Sequence, residues 1–310
     1  MATRRACLAT LALTAAGCAT GAGLPAGIGQ LPGARGETGP ANRGRTANLG
    51  WVTGRQGVLV VDSGVSARHG AALHGAITRT TPLPLAALVL THTRQEFVFG
   101  TSSLGAPVWM HTHAARLMAA RCDRCLTNLR TVLGEAEMQG SVLARPAHLF
   151  ADPADVPAVD RPGLALLSFG HSASPGAAVV WDGQTRTLFA GALLDNQVIP
   201  DVQDADLAGW RTAWRAMAEL APQHIIPGHG PAVHGQAACQ ALIATNARYL
   251  AQLEARTAAL LQAGAPLSEV ADRTALPEFA GWDQYDTIHR RNASIVFLKH
   301  ERALLQGGSP

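Results

Sequence analysis

Apolar and polar positions fall into short blocks along most of the chain. Residues 57–62 form a β-branched apolar run that stops at Asp62-Ser63-Gly64, the pattern of a buried strand and turn. Residues 67–79 have helical spacing with polar ends. Residues 85–90 (LAALVL) predict a second buried strand leading into Thr91-His92-Thr93-Arg94-Gln95-Glu96-Phe97. A short strand is expected at 107–110 and a helix from about residue 114. Residues 164–169 read as a strand ending at Gly170-His171-Ser172. Strands at 177–181 and 187–190 flank Asp182-Gly183, a strong hairpin signal. Residues 207–220 form an amphipathic pattern in which Trp210 and Trp214, four apart, belong to the buried face. Residues 224–227 predict a short strand before Gly228-His229-Gly230. From Gln236 onward the chain reads as helices, broken near 264–266 and at Pro277. Strands alternate with helices, but hairpins occur too, so the pattern is not purely doubly wound.

Composition narrows the picture. The 310 residues are 47% hydrophobic and 15% charged, enough to bury a large core and too apolar for disorder. The formal charge of +3 misleads about the folded part. Residues 1–46 hold Arg4, Arg5, Arg35, Arg43 and Arg45 against Glu37, so the rest is close to neutral. A nucleic-acid footprint would put basic charge on the folded domain, so nucleic acid is excluded as a partner.

The N-terminus reads as an address. Arg4 and Arg5 precede an apolar stretch of small residues at 6–16, as in a secretory signal over residues 1–22. Ala15-Ala16-Gly17-Cys18 resembles a bacterial lipobox, in which Cys18 is cleaved free and lipidated; the alternative is cleavage near Ala22 with Cys18 discarded. The expected location is therefore the periplasm, with membrane attachment only through a lipid on Cys18. Three cysteines then remain. Cys122-Asp123-Arg124-Cys125 is a single C-x-x-C, short of the four ligands of a structural zinc. Residues 19–46, rich in Gly, Pro, Ala and Arg, read on composition as a linker.

His92, His171 and His229 each follow a predicted strand directly, in a short Gly- or Ser/Thr-containing turn. Polar groups on tight loops at strand ends are how a rigid scaffold builds a site. These turns resemble those of the metallo-β-lactamase-fold hydrolases. The matching pieces, in order, are Val60-Val61-Asp62-Ser63-Gly64, Thr91-His92 to Gly100, Phe169-Gly170-His171-Ser172, Leu188-Phe189-Ala190-Gly191-Ala192 and Pro227-Gly228-His229-Gly230. The resemblance implies an α/β (α+β) four-layer αββα sandwich over residues 24–235, with a helical extension over 236–310. It also implies that 24–46 form the first strand and a loop. Asn42-Arg43-Gly44-Arg45 with Ala47-Asn48, the stretch from Cys122 to Met138, and His289-Arg290-Arg291-Asn292 with Glu301 are similar to exported zinc metallohydrolases of quinoprotein and sulfur-oxidation gene neighbourhoods.

Departures from the family pattern bear on function. Where the family has H-x-H-x-D-H, this chain has His92-Thr93-Arg94-Gln95-Glu96-Phe97, and where a metal-bridging Asp follows Ala-Gly it has Ala192. The residual ligands are His92, Glu96, His171 and His229. Neither zinc position keeps the three protein ligands of a catalytic site, and Arg94 puts a permanent cation where a metal would sit. Three readings follow. In the first, the chain is a non-hydrolytic or weakly active binding protein, without cofactor, whose pocket of Asp62, Arg94, Phe97 and Ala192 takes a small-molecule or anionic ligand. In the second, His92, Glu96, His171 and His229 hold one zinc in a mononuclear hydrolase. In the third, Cys122 and Cys125 carry thiol chemistry. On the first reading Arg94 is expected to donate to Glu96 or Asp62, and Phe97 to fill space beside the second metal position. His111 and His113 read as loop residues outside the ligand motifs.

Overall fold

The computed structural model describes residues 23–33, 46–151 and 153–306. The expected signal and lipid-bearing Cys18 lie outside these residues. So do 34–45, and with them Asn42-Arg43-Gly44-Arg45.

Two sheets stack face to face. The first is built from β1 (Ile28–Leu31), β2 (Leu49–Thr53), β3 (Val58–Val61), β4 (Leu85–Leu90), β5 (Val108–His111) and β6 (His148–Phe150), in that order across the sheet. β1, β2 and β3 pair antiparallel; β3 to β6 run parallel. The three parallel pairs need crossovers, supplied by α1 (Ala67–Thr78), by the connection 91–107, and by α3 (Thr112–Leu133). The one-turn helix α2 (Gln95–Val98) follows β4, and another, α4 (Glu135–Met138), follows α3. The second sheet has the order β11 (Val233–His234), β10 (His224–His229), β9 (Thr187–Asp195), β8 (Ala178–Asp182), β7 (Leu164–Ser168). Here β9 and β10 are parallel, joined through α5 (Leu207–Glu219). Helices α6 (Gln236–Gln262), α7 (Leu267–Arg273) and α8 (Arg290–Leu305) complete the chain.

Strand alternation sets the layers. In β3, Leu59 and Val61 join Val52, Val89, Leu166, Val180, Phe189 and Ile226 in a core between the sheets. Val58 and Val60 point the other way and pack with Leu73 and Ile77 of α1 and Met118 and Cys122 of α3. The outer face of the second sheet, through Val179, Leu188 and Ile225, packs with Trp210 and Trp214 of α5 and Tyr249 and Leu253 of α6. Helix, sheet, sheet and helix therefore form four layers around three cores. Both tryptophan indoles donate to the Leu193 carbonyl, at 3.0 and 2.7 Å, so their polar edges are satisfied inside the core.

Several elements differ from the sequence expectation. Residues 28–31 are a strand paired with β2, so the linker reading of 19–46 fails there. The strand expected at 187–190 continues to Asp195, because the apolar run resumes after Gly191. Arg161 joins the two sheets. Its Nε and one terminal nitrogen donate to the two oxygens of Asp182 on β8, both at 2.8 Å, and its other terminal nitrogen reaches the Thr53 carbonyl of β2 at 3.2 Å.

Candidate functional site

The strand ends of both sheets meet at one edge. Asp62 closes β3 in a left-handed conformation, φ 61°, which Asp tolerates better than most residues. Its buried carboxylate accepts from the Thr91 amide and hydroxyl, each at 2.8 Å. Burial pushes its pKa up to about 7.

His92 follows Thr91 and is fully buried. Its Nδ1 accepts from the Arg94 amide at 3.0 Å, and its Nε2 has no hydrogen-bond partner. Burial, reinforced by the Arg94 charge, holds this imidazole well below its usual pKa, so it is neutral.

Arg94 stands at the N-cap of α2 with extended backbone and makes no side-chain cap bond there. The guanidinium donates to the backbone carbonyl of Asp201 at 2.5 Å. The expected partners Glu96 and Asp62 are therefore replaced by a carbonyl on the loop after β9. The Asp201 carboxylate pairs with Arg291 of α8. Burial would raise its pKa, but Arg94 and Arg291 outweigh that and hold it below the ordinary value. Asn292, beside Arg291, donates to the Pro200 carbonyl and accepts from the Val202 amide, so α8 fixes this loop from both sides of Asp201.

Glu96 is buried, with Oε1 3.8 Å from His229 Nε2. His229 Nδ1 donates to Asp195 Oδ1 at 2.7 Å. Burial opposes charge on His229, but Asp195 and Glu96 prevail and raise its pKa. Asp195 is held in turn by Asn246 of α6, which donates to its carbonyl at 2.8 Å. Sequence reasoning overlooked Asp195, having looked for a carboxylate at position 192. Ala192 lies in the core with Phe97. The Phe97 ring packs against both imidazoles, with centroids 6.2 Å from His92 and 5.6 Å, edge-on, from His229. Gly230 completes the His229 turn at φ 81°; a β carbon there would stand 1.8 Å from the Asn196 carbonyl oxygen.

His171 stands apart. It is exposed, and its Nε2 bonds the Asp204 carbonyl at 2.8 Å. The structure thus brings Glu96 and His229 together, packs His92 and His229 against the one Phe97 ring, and turns His171 elsewhere. Among the described residues, no three His, Cys, Asp or Glu side chains are grouped to hold one metal ion. The unpartnered Nε2 of His92 suits a metal; the other three candidates, as placed, do not complete a catalytic zinc site.

A cavity of about 230 Å³ opens beside this cluster. Arg94, Arg121 and Arg291 line it with Glu96, Asp201 and Asp204, and Cys122 and Cys125 form part of its wall. Arg121 pairs with Asp204 at 2.7 Å. A smaller void of about 30 Å³ lies between Arg94, Glu96, Asp195 and His229, room enough for an ordered water molecule.

No protein-family model and no curated protein matches the chain in sequence. Solved structures match its fold. The sec-alkylsulfatase Pisa1 from Pseudomonas sp. superposes with a TM-score of 0.64 at 16% identity, over 82% of this chain and 47% of the sulfatase; the chain spans about half that protein's length. A metallo-β-lactamase from Hirschia baltica matches with a TM-score of 0.54 at 21% identity, over 73% of this chain and 94% of that one. The metallo-β-lactamase FIM-1 from Pseudomonas aeruginosa, in its mono-zinc form, matches with a TM-score of 0.54 at 21% identity, over 73% and 93%. The chain has the metallo-β-lactamase fold.

Proposed function

We propose that this chain is an exported hydrolase homologue with an eroded zinc site, which binds an anionic small molecule at Arg94 without efficient hydrolysis. One observation carries the reading. Arg94 lines the cavity while bonded to a neutral carbonyl, whereas Arg121 and Arg291 are each paired with a carboxylate. The Arg94 charge also acts on the Asp201 carboxylate, but its hydrogen bond goes to a carbonyl, so further donors face the cavity for an anion. Phe97 packed against His92 and His229 supports the loss of metal chemistry. The sulfatase neighbour acts, by its name, on secondary alkyl sulfates, which makes that class the first anion to try.

The test is calorimetric titration with a secondary alkyl sulfate, alongside zinc content by elemental mass spectrometry and assays of sulfate ester and lactam hydrolysis. Binding is expected, with Arg94→Ala weakening it by roughly tenfold or more. Zinc should be far below one per chain and turnover at background, with or without added zinc. Absence of anion binding would overturn the reading. Stoichiometric zinc in protein purified without added metal, together with turnover, would establish the second reading, a mononuclear hydrolase on His92, Glu96, His171 and His229. The buried, unpartnered Nε2 of His92 is what favours that alternative.

Export belongs to the same proposal. Among the described residues no helix is long and apolar enough to cross a membrane. The mature chain should begin at a lipid-modified Cys18 and fractionate with membranes, as read by intact mass. A soluble periplasmic form starting near Gly23 would remove the anchor, and an unprocessed Met1 start would remove export.

A further inference from the structure

Cys122 and Cys125 line the same cavity as Arg94, and the anion reading gives them no role. They stand three residues apart on α3 and share a face. Cys122 is buried, Cys125 is half-buried, and neither is in a disulfide. The Cys122 thiol donates to the Thr93 carbonyl at 3.5 Å, and Cys125 is close enough to interact with it electrostatically.

Helix geometry decides what such a pair can do. Residues three apart on a regular helix have β carbons about 5–6 Å from each other. A disulfide needs about 3.5–4.5 Å, so direct bonding would distort the middle of α3. An ion held between the sulfurs spans the wider gap. Zinc wants three or four protein ligands, and among the described residues no third such side chain is grouped with the pair. Thiolates select soft ions such as Cu(I), for which two sulfurs form a complete linear shell. Charge does not oppose this. Two thiolates around a monovalent ion carry one net negative charge, and the cavity wall sets Arg94, Arg121 and Arg291 against Glu96, Asp201 and Asp204.

We propose that Cys122 and Cys125 form a two-coordinate thiolate site for a soft monovalent metal ion, Cu(I) or Ag(I), in the wall of the arginine-lined cavity. Two S–H bonds break, two metal–sulfur bonds form, and two protons pass to solvent; nothing is oxidised. Burial and the neighbouring Cys125 push the Cys122 thiol up to about 12, so an ion must displace its proton. The site stands independently of the anion reading.

The experiment is anaerobic competition of the reduced full chain against bicinchoninate-buffered Cu(I), with a Cys7→Ser, Cys18→Ser chain to remove N-terminal thiols. One Cu(I) per chain is expected, with two sulfurs and no nitrogen in its X-ray absorption shell. Cys125→Ser and Cys122→Ser should each weaken binding by roughly a hundredfold or more, while Cys239→Ser leaves it unchanged. Arg121→Ala should weaken it by about tenfold, and Arg121→Lys should restore most of that. Unaltered copper affinity in Cys125→Ser, a nitrogen-containing shell, or no copper uptake overturns the proposal. Should Cys122→Ser misfold, the half-buried Cys125 still carries the test.

Discussion

Replacing Arg161 with alanine should lower the stability of the fold by about 3 kcal/mol, among the largest effects of any single side-chain truncation here. The Asp182 side chain is fully buried, and Arg161 is only 11% exposed. Losing the guanidinium strands a buried carboxylate, which costs about 3–5 kcal/mol; the lower end applies because the Thr185 amide and hydroxyl still donate to Asp182. Arg161→Lys keeps the charge but not the two parallel bonds and should fall in between. The pH dependence has a definite sign. Burial would raise the Asp182 pKa, but the Arg161 and Thr185 bonds outweigh it and leave it lowered. Its contribution is present above the unfolded carboxylate pKa and is lost as pH falls through the folded one. Urea unfolding measures the effect; a loss under about 1 kcal/mol would show the pair behaving like a surface pair.

Asp62→Asn should have the opposite sign and grow with pH. The folded pKa of Asp62 is raised from 3.8 to about 7. The native state therefore holds a proton that the unfolded chain has released. Stability from this group is complete below about pH 4 and is lost as pH climbs to about 7. Asparagine cannot ionise, tolerates the left-handed backbone, and can still accept from the Thr91 amide. At one pKa unit per 1.36 kcal/mol the difference in favour of the variant should approach roughly 4 kcal/mol by pH 8, as an upper bound. His92 works against the wild-type trend, because its lowered pKa adds stability above the unfolded histidine pKa and loses it as pH falls. Subtracting the two proteins' curves cancels that contribution and isolates Asp62. A difference that stays flat between pH 5 and 8 would mean that the carboxyl titrates normally.

Much of the scaffold was legible in the residue pattern because buried strands write themselves as apolar runs. β3 and β4 are such runs, and the hairpin at Asp182-Gly183 announced β8 and β9. β1, β2 and β6 were harder: each is short, and glycine or histidine interrupts its pattern. The site was legible in part. The principle that polar groups gather just after strands located His92 and His229. Applied once more, it would have found Asp195, the first polar residue after the apolar run ending at Leu194. The family resemblance directs attention to position 192 instead, where this chain has alanine. The orientations of Arg94 and His171 had no local signal. Both side chains bond backbone carbonyls of the 196–206 segment, at Asp201 and Asp204. That segment is placed by Asn292 and Arg291, some 90 residues further along the chain. Tertiary packing of α8 therefore decides what a turn between two strands can reach.

The two sheets divide the sequence without interleaving. Residues 28–150 supply every strand of one and residues 164–234 every strand of the other. Each is thus a contiguous fragment, and a nick between β6 and β7 would sever no strand pairing within either sheet. The cluster at the sheet edge belongs to neither fragment alone. Asp62, His92, Arg94 and Glu96 come from the first; Asp195, Asp201 and His229 come from the second. Asn48 bolts the pieces together there, its side-chain amide donating to the carbonyls of Pro227 and Gly230 at 2.8 Å each. The cluster is accordingly a seam. It exists only once both fragments have folded and closed on each other.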